Sequence, residues 1–314
     1  MLIDVSTMTG QNKFDIVTVG HFAVDTICSP RITHAITTVG GPPTYVSVGA
    51  ARLGAKVSVI SKVGEDFQEE YLVWLQRNNV DLSGLRRVEG SVTTQFLLKY
   101  EAAWKRRLQL TARAASITAS DIPSSLEARA IHVAPIAGEL PTDAVIKLRE
   151  STSILSLDPQ GFVRDFTTRG IIRPKSWTDS SVLELVDIYK SSSDEIRMVT
   201  GTANIRHAAR RILDYGVKIV IVTQGMRGST LLFDKAFFKV PQCNPRKLVD
   251  PTGAGDAYVG AFLAEYIRSE DPLWCACVGS ASASFVVEDV GPRGFGDREG
   301  TYARAREIYE KHVC

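Results

Sequence analysis

The sequence predicts an α/β fold built around a mostly parallel sheet, and the order of elements beyond Arg129 is the main reason. A short apolar stretch, Ala130–Ala134, is followed by a helical segment, Pro141–Glu150, and then by a second apolar stretch, Ser153–Leu157. Strands that alternate with helices in this way pair in parallel through right-handed crossovers. A later run, Val217–Thr223, is almost entirely β-branched, which predicts a central strand.

The remaining elements follow from the same patterns. A buried strand is predicted at Asp15–Gly20, after a loose leader at residues 1–13. A helix of small residues, Thr44–Leu53, ends at Gly54, the residue type that most often caps a helix. The other predicted strands and helices are, in order, Lys56–Ser61, Phe67–Arg77, Val92–Tyr100, Lys105–Ala112, the hairpin Ser229–Val240, and the helices Ala254–Ile267, Pro272–Val287 and Glu299–His312.

Composition narrows the partners of this chain to small molecules. The 314 residues are 44% hydrophobic, enough for a large core, and we treat residues 1–314 as a single domain. Because 37 Lys and Arg nearly balance 35 Asp and Glu, we expect neither nucleic acid nor a membrane as partner. The N-terminal residues do not have the layout of a signal peptide, so we expect a cytoplasmic protein.

The five cysteines are scattered and predict no metal site. They form no C-x-x-C pair, and no histidine cluster accompanies them, so a zinc centre is not expected. We interpret them as reduced thiols; they are Cys28, Cys243, Cys275, Cys277 and Cys314.

The stretch Asp250–Phe262, DPTGAGDAYVGAF, carries the chemistry. Its small residues Gly253, Ala254 and Gly255 leave main-chain N–H groups uncovered at the start of a predicted helix, where such groups bind phosphate or a developing oxyanion. The next residue, Asp256, would repel that anion unless it had a role, such as accepting a proton from an attacking hydroxyl. The alternative is an ordinary helix start at which Asp256 only complements the helix dipole.

The same string resembles the second signature of the ribokinase-like (PfkB) carbohydrate kinase family, D-T-x-G-A-G-D-x-F-x-x-G, with Pro251 and Tyr258 as departures. The resemblance extends over nearly the whole chain. It implies a three-layer α/β/α sandwich with a small β-sheet lid at about residues 21–38 and 90–114, through which two subunits can pair as a homodimer. It also implies that Asp256 is the general base and that Gly253, Ala254 and Gly255 form the anion hole.

The first signature of that family resembles GGPPTYVSVGAARLG at residues 40–54. By the resemblance, Gly40 and Gly41 let the acceptor approach the backbone, and Asp25 accepts hydrogen bonds from its hydroxyls. Tyr45 stands where the family commonly has an Asn that touches the sugar, which predicts a different acceptor, with a flatter ring.

Two further segments are expected to bind the phosphoryl donor. KSSSDE at residues 190–195 resembles the family's K-P-N-x-x-E, so Glu195 is predicted to organise Mg²⁺ and its waters, with Ser192 in the position of the Asn. A capping box explains the same Ser-x-x-Glu spacing without metal. The TQGMRG loop resembles the nucleotide loop T-x-G-x-x-G, with Thr223, Gly225 and Gly228 facing ATP; a plain turn is the alternative.

The resemblance also points to a monovalent cation such as K⁺ near Asp250 and Thr252. DPQGF-x-R at residues 158–164 resembles a variant found in archaeal myo-inositol kinases, so Gln160 is predicted to contact the acceptor. Large aromatics in the lid would favour a nucleoside base instead, and Tyr45, Phe96 and Trp104 leave that open.

The sequence therefore predicts an ATP- and Mg²⁺-dependent kinase that phosphorylates a hydroxyl of a small polyol, sugar or cyclitol, with myo-inositol favoured. Ribose, another sugar or a nucleoside is the alternative acceptor. A catalytically silent sugar- or nucleotide-binding regulator on the same fold is the alternative from another class. A Rossmann oxidoreductase is disfavoured because no G-x-G-x-x-G follows the first strand.

Overall fold

A computed structural model describes residues 13–29, 33–101 and 106–313. The predicted leader, Trp104 and Cys314 lie outside these residues, apart from Lys13 at the end of the leader. The strands are β1 Phe14–Val19, β2 Ala23–Cys28, β3 Ile36–Gly40, β4 Val57–Val63, β5 Val80–Asp81, β6 Leu85–Arg87, β7 Thr94–Tyr100, β8 Arg106–Ala112, β9 Ala128–Val133, β10 Thr152–Leu157, β11 Arg164–Phe166, β12 Ile172–Pro174, β13 Ile188–Ser192, β14 Ile219–Thr223, β15 Ser229–Phe233 and β16 Ala236–Val240. The helices are α1 Pro42–Arg52, α2 Glu69–Arg77, α3 Thr142–Arg149, α4 Ser180–Leu183, α5 Ser193–Thr200, α6 Ile205–Leu213, α7 Ala254–Tyr266, α8 Pro272–Val286 and α9 Arg298–Val313.

The main sheet has ten strands in the order β16-β15-β14-β13-β10-β9-β1-β4-β5, and β6 also pairs with β4. All neighbours are parallel except along the hairpin edge, where β15 pairs antiparallel with β14 and β16. The run predicted as a central strand, β14, lies third from this edge rather than at the centre, although it is paired on both sides. The predicted, mostly parallel α/β sheet is confirmed.

Two hydrophobic layers cover the sheet, as a three-layer sandwich requires. On one face, Ile16 and Val59 pack with α1, α2, α7, α8 and α9; on the other, Val17 and Val133 pack with α3 to α6. Alternate residues of each strand point to opposite faces, which is why Ile16 and Val17 belong to different layers. Helices α7 and α8 are apolar almost all round because both are buried within the first layer.

A second sheet of four strands, in the order β3-β2-β7-β8, forms the lid. β2 pairs with β7 in parallel and with β3 in antiparallel. Its strands lie in the two segments predicted for the lid, except that β3 continues to Gly40, two residues beyond the first segment; β2 ends at Cys28, and β3 begins at Ile36. At the junction with the core, the buried ring of His21 contacts Thr94 Oγ1 at 2.8 Å and the Ala115 carbonyl oxygen at 3.0 Å.

Helix α1 begins two residues earlier than predicted. Pro42 and Pro43 occupy its first turn, where a proline loses no intrahelical hydrogen bond. Gly41 precedes them at φ 81°, a left-handed conformation in which a side chain is unfavourable. The glycine pair before this helix therefore has a conformational reason.

Candidate active site

The loop at the start of α7 has the conformation that an anion site needs. Gly253 is the N-cap residue at φ 73°, and Asp256 is the third residue of the helix. A Cβ added at Gly253 would lie 2.2–2.3 Å from ring atoms of Tyr45, so only glycine fits. The free N–H groups of the first turn, together with the positive end of the helix dipole, favour an anion beside Asp256.

A cavity of about 610 Å³ opens beside this loop, and it brings together most residues predicted to bind the donor. Its lining includes the predicted donor-site residues Gly253, Ala254, Gly255, Asp256, Gln160, Ser192, Glu195, Thr223, Gly225 and Gly228. It also includes small or apolar residues, chiefly Cys243, Leu248, Ser280, Ala283, Ser284 and Val287. A lining of both kinds suits a ligand that has a charged part and a flat, apolar part.

Gln160 contacts the predicted base. Its side-chain Nε2 donates a hydrogen bond to Asp256 Oδ1 at 3.3 Å. Gln160 lies in a 3-10 turn, Pro159–Gly161, which Asp158 caps by accepting from the Gln160 N–H at 3.3 Å. The structure thus connects Gln160 to Asp256, whereas the sequence predicted a contact with the acceptor.

A buried ion pair that the sequence analysis missed lies under the anion loop. Lys190 Nζ donates to Asp158 Oδ2 at 2.5 Å, and both side chains are almost fully buried. Nζ lies 3.0 Å from where a Cβ of Gly255 would stand, so this ammonium is directly below the loop. Burial lowers the pKa of Lys190, but Asp158, Asp256 and Glu195 outweigh it and raise the pKa above its ordinary value. The ammonium of Lys190 is therefore a positive charge directly under the anion loop, with three carboxylates around it.

Ser192 and Glu195 form the capping box that was weighed against a metal site. Ser192 Oγ accepts from the Glu195 N–H at 3.3 Å, and Glu195 Oε2 accepts from the Ser192 N–H at 2.8 Å. Glu195 also pairs with Arg164 at 3.5 Å. Burial raises the pKa of Glu195, but the positive charges of Arg164 and Lys190 lower it by a larger amount. The pKa of Glu195 is therefore below its ordinary value. Glu195 is therefore an anion on the wall of the cavity.

The backbone conformation of the nucleotide loop requires glycine at two positions. Gly225 has φ 58° and Gly228 has φ 77°, and a Cβ at Gly228 would lie 2.2 Å from the carbonyl oxygen of Val240. Thr223 Oγ1 donates to the Ser191 carbonyl at 3.3 Å. A tight turn thus explains both glycines, and it also leaves them on the cavity wall.

Three of the residues predicted to bind the acceptor, Asp25, Gly40 and Gly41, lie on the lid strands β2 and β3 and at the start of α1. Asp25 is on β2 and is only 5% exposed. A Cβ at Gly40 would lie 1.9 Å from Asp25 Oδ2, and one at Gly41 would lie 2.4 Å from the His21 carbonyl oxygen. The two glycines therefore allow the strand that carries Asp25 to lie directly against the start of α1.

The lid face around Asp25 is largely apolar. Asp25 is paired in register with Phe96 on one side and with Thr38 on the other. Phe96 belongs to a buried cluster that joins the lid to the core; its members are Ala23, Ile27, Phe96, Leu98, Tyr100, Ile136, Ala137 and Val290. A ligand held by Asp25 would therefore meet mainly hydrocarbon and aromatic surface.

Asp250 and Thr252 have protein partners at the place predicted for a monovalent cation. Asp250 Oδ1 accepts from the N–H of Thr252 at 3.0 Å and from its hydroxyl at 2.6 Å, and Oδ2 accepts from the Gly291 N–H at 2.9 Å. The Thr252 hydroxyl also lies 2.8 Å from the Tyr100 hydroxyl of the lid. These contacts account for both side chains without an ion.

Comparison with known proteins identifies this arrangement. The family model for pfkB family carbohydrate kinases matches residues 13–296. The chain belongs to this family. The kinase is 29% identical over 281 residues to the cytidine kinase of Thermococcus kodakarensis, which covers 88% of the chain and 97% of that protein. It is 26% identical over 317 residues to the nucleoside kinase of Methanocaldococcus jannaschii, and this alignment covers 95% of the chain and 97% of that protein.

The fold of the kinase also matches solved structures. A pyrophosphate-dependent kinase of the ribokinase family, solved with a pyrophosphate analogue and myo-inositol, superposes with a TM-score of 0.79 at 26% identity, over 92% of this chain and 99% of the other. The predicted ribokinase-like fold and kinase activity are confirmed.

Within residues 13–29, 33–101 and 106–313, no helix is long and apolar enough to cross a bilayer. In the same part of the chain, no group of three or more His, Cys, Asp or Glu is arranged to hold a metal ion.

Proposed function

We propose that this kinase transfers the γ-phosphoryl group of ATP to a hydroxyl of a nucleoside. The observation that carries the acceptor assignment is the single carboxylate, Asp25, on a lid face that is otherwise largely apolar. Ribose hydroxyls would donate to Asp25, and the base would lie against Phe96, which is paired in register with Asp25. A cyclitol has a hydroxyl on every carbon, and burying several of these without partners is unfavourable. The similarity to a cytidine kinase and to a nucleoside kinase supports the same class.

In the proposed reaction, Asp256 accepts the proton of the acceptor hydroxyl as its oxygen forms a bond to the γ-phosphorus. The bond between that phosphorus and the β,γ-bridging oxygen breaks, and ADP leaves with the electron pair. Gln160 holds the Asp256 carboxylate through its 3.3 Å hydrogen bond. The N–H groups from Gly253 to Asp256 stabilise the charge on the transferring group, and the ammonium of Lys190 below them adds to this effect. The closed lid excludes water as a competing acceptor.

The cavity supports ATP as the donor. A volume of about 610 Å³ is typical of a site for a nucleotide-sized ligand, and pyrophosphate would occupy only part of it. The small residues of α8, Ser280, Ala283 and Ser284, leave space for an adenine ring against Val287.

Mg²⁺ fits the residues present, although the protein offers it few ligands. Glu195 and Asp194 line the cavity, and no group of three or more His, Cys, Asp or Glu among the described residues is arranged to hold a metal ion. Mg²⁺ commonly uses one or two carboxylates and completes its shell with waters and substrate phosphates. When bound, it would neutralise charge on the triphosphate. Dependence on K⁺ near Asp250 and Thr252 remains a prediction, as do pairing of two subunits through the lid and a cytoplasmic location.

Myo-inositol is the second candidate acceptor. The DPQGF-x-R segment at residues 158–164 and the similarity to the kinase solved with myo-inositol favour it. That similarity also makes pyrophosphate the donor to compare with ATP.

The deciding assay measures acceptor-dependent release of ADP from ATP and Mg²⁺ with cytidine, adenosine, ribose, fructose, fructose 6-phosphate and myo-inositol, with pyrophosphate as the alternative donor. We expect turnover with a nucleoside and ATP. Asp25→Asn should abolish most of that turnover, whereas Asp143→Asn, an exposed carboxylate on α3, should leave it unchanged. Preferential turnover of myo-inositol would refute the nucleoside assignment, and activity with pyrophosphate alone would refute ATP.

A further inference from the structure

A short hairpin that the proposed reaction does not use connects the core to the lid. It consists of β11 and β12, which pair antiparallel and form a two-stranded sheet of their own. It comes shortly after the 3-10 turn Pro159–Gly161, so it begins beside the donor cavity. Its tip, at residues 167–171, reaches the lid strand β8. The hairpin therefore extends from the wall of the donor cavity to the far edge of the lid.

The base of the hairpin is fixed to the core. Just before β11, the ring of Phe162 stacks on Trp177 with 4.6 Å between the ring centroids. Both rings pack on the hydrophobic layer that lies between the main sheet and helices α3 to α6. The first residue of β11, Arg164, pairs with Glu195 at 3.5 Å, and both of these side chains are mostly buried. The base cannot move without disturbing packed residues of the core.

The tip of the hairpin is bonded to the outer strand of the lid. The Leu110 N–H of β8 donates to the Gly170 carbonyl oxygen at 2.8 Å. The Gln109 side chain donates to the Arg169 carbonyl oxygen at 2.9 Å, and Gln109 also forms an antiparallel bridge with Ile171. Because β8 is the last strand of the lid sheet, these bonds occupy an edge that would otherwise present unpaired backbone groups. The tip thus extends the lid sheet beyond β8.

Gly170 makes this close approach possible. Its φ is 72°, and a Cβ at this position would lie 1.8 Å from the Leu110 carbonyl oxygen. The left-handed conformation alone favours glycine, but the contact with β8 excludes any side chain. Gly201 at the end of α5 has nearly the same φ, 71°, yet a Cβ there would meet nothing within 4 Å. The turn and the lid contact are therefore two separate requirements at Gly170.

The contact with the lid lies in line with the carboxylate proposed to hold the acceptor. Leu110 is paired in register with Phe96 of β7, and Phe96 is paired in register with Asp25 of β2. A single row of neighbouring residues thus leads across the lid from the hairpin to Asp25. Phe166 of β11 packs against the buried cluster that contains Phe96. Since the strands of the row belong to one hydrogen-bonded sheet, the position of β8 constrains the position of Asp25.

We propose that the β11–β12 hairpin is a strap that positions the lid sheet, and with it Asp25, relative to the base Asp256. Gly170 is then a positioning residue, which acts through Leu110 and Phe96 and touches no substrate. The inference rests on the proposed function, because it specifies how the acceptor is held. Alignment of the attacking hydroxyl with the γ-phosphorus and the base has a large effect on the rate, and a lid held in place keeps water away from the phosphorus.

Substitution of Gly170 by Ala detaches the tip of the strap and leaves its base in place. We expect the KM for the acceptor to rise about tenfold, because Asp25 is no longer held in one position. The ratio of ADP formed to acceptor phosphorylated should also rise, since water then competes with the acceptor. The KM for ATP should change little, because Arg164 and Glu195 are untouched. Parallel assays of ADP and of the phosphorylated product, with ATP, Mg²⁺ and cytidine, measure all three quantities.

Gly201→Ala is the matched control. It places the same residue at the same φ without a clash, so both variants should lose a similar amount of melting temperature. Only Gly170→Ala should change the acceptor KM and the ratio of hydrolysis to transfer. Hydrogen–deuterium exchange of the β8 peptide reports detachment directly, because the Leu110 N–H loses its acceptor in Gly170→Ala. A hairpin that only adds stability would lower the melting temperature and leave both kinetic quantities unchanged.

Gln109→Ala is a milder variant for the case that Gly170→Ala does not fold. It removes only the hydrogen bond to the Arg169 carbonyl oxygen. We expect the acceptor KM to rise about two- to threefold and the ratio of hydrolysis to transfer to rise with it, because one such bond makes a modest contribution. Unchanged values of both quantities in this variant would contradict the proposal.

The remaining outcomes separate the strap from the nucleoside assignment. Faster exchange at Leu110 in Gly170→Ala with an unchanged acceptor KM and an unchanged hydrolysis ratio would refute the strap, while the kinase assignment would stand. Unchanged exchange at Leu110 would also refute it, because the bond between tip and lid would then be absent. If wild type phosphorylates a sugar or myo-inositol but no nucleoside, the nucleoside assignment is wrong, and the same variants are compared with that acceptor.

Discussion

The two sides of the active site are built differently. On the donor side, charged groups line an open cavity and form the ion pairs Lys190–Asp158 and Glu195–Arg164. On the acceptor side, Asp25 of the lid strand β2 is 5% exposed, and the Tyr45 hydroxyl has no hydrogen-bond partner among the described residues. The donor side is therefore open to solvent in this structure, whereas the carboxylate on the acceptor side is covered. The difference predicts that substitutions on the two sides affect different kinetic constants.

Asp256 belongs to both sides, and its substitution should have the largest effect. Asp256→Asn keeps the shape and the hydrogen bond from Gln160 but removes the proton acceptor. We expect kcat to fall by about 10²–10⁴-fold, with the KM values for ATP and acceptor little changed. Steady-state kinetics and thermal unfolding of the purified variant measure this, with Asp143→Asn as control. A near-normal kcat in the folded variant would contradict the role of Asp256.

Substitution of Lys190 should affect stability and the donor side of the site, but not the acceptor side. Lys190→Met should lower the free energy of unfolding by about 3–5 kcal/mol, because the buried Asp158 loses its counter-ion. The double variant Lys190→Met with Asp158→Asn should regain much of that stability, since no charge is left unpaired. We expect the KM for ATP to stay raised in both variants and the acceptor KM to stay normal. Urea unfolding and kinetics measure these quantities. If the double variant binds ATP normally, Lys190 has only a structural role.

How much of this site could be read from the sequence depends on how local each feature is. The loop from Gly253 to Asp256 was predictable because the glycine conformation and the helix start are properties of a few consecutive residues. Lys190 offered a signal, a charged residue directly after the apolar pair Ile188-Tyr189, but its partner Asp158 follows another strand and is 32 residues away in sequence. The partner of Gln160 is also distant in sequence, at Asp256, so this hydrogen bond could not be predicted from the local sequence.

The burial of Tyr45 is a second feature that the local sequence could not predict. Its position in the first signature suggested a contact with the acceptor, but its burial depends on how α1 packs against α7 and on Phe295, near the other end of the chain. No periodicity in residues 40–54 contains that information. The lid was predictable only in outline: its two segments were expected, but the end of β2 at Cys28 and the start of β3 at Ile36 were not.

Because His132 is buried, we expect the free energy of unfolding to depend on pH. His132 lies on β9, its Nδ1 2.9 Å from Ser156 Oγ; burial, and then the charge of Lys190, lowers its pKa to about 3. Below about pH 6.5 the unfolded chain binds a proton that the folded chain does not, so stability is complete above this pH and is lost as the pH falls toward 3.

Between about pH 6.5 and pH 4.5 we expect a loss of about 2 kcal/mol from His132. Urea unfolding of wild type and His132→Gln at a series of pH values tests this, with exposed His207→Gln as control. The slope of stability against pH should be shallower in His132→Gln and unchanged in His207→Gln. Equal slopes in all three proteins would mean that His132 is not held neutral.

Substitution of Ser192 should have the smallest effect. It distinguishes the two interpretations of the Ser-x-x-Glu spacing, a helix cap and a contact with the phosphoryl donor. As a helix cap, Ser192 accepts from the Glu195 N–H, so Ser192→Ala should lower the free energy of unfolding by about 1 kcal/mol. Ser192→Asn restores the residue typical of the family and can still cap the helix, so its stability should equal that of wild type. The KM for ATP then decides the second role: a decrease in Ser192→Asn would indicate that this position contacts the donor, whereas an unchanged KM in both variants would limit Ser192 to capping. Because Ser192 is on the donor side, a change in the acceptor KM with either variant would contradict the division of the site into two independent halves.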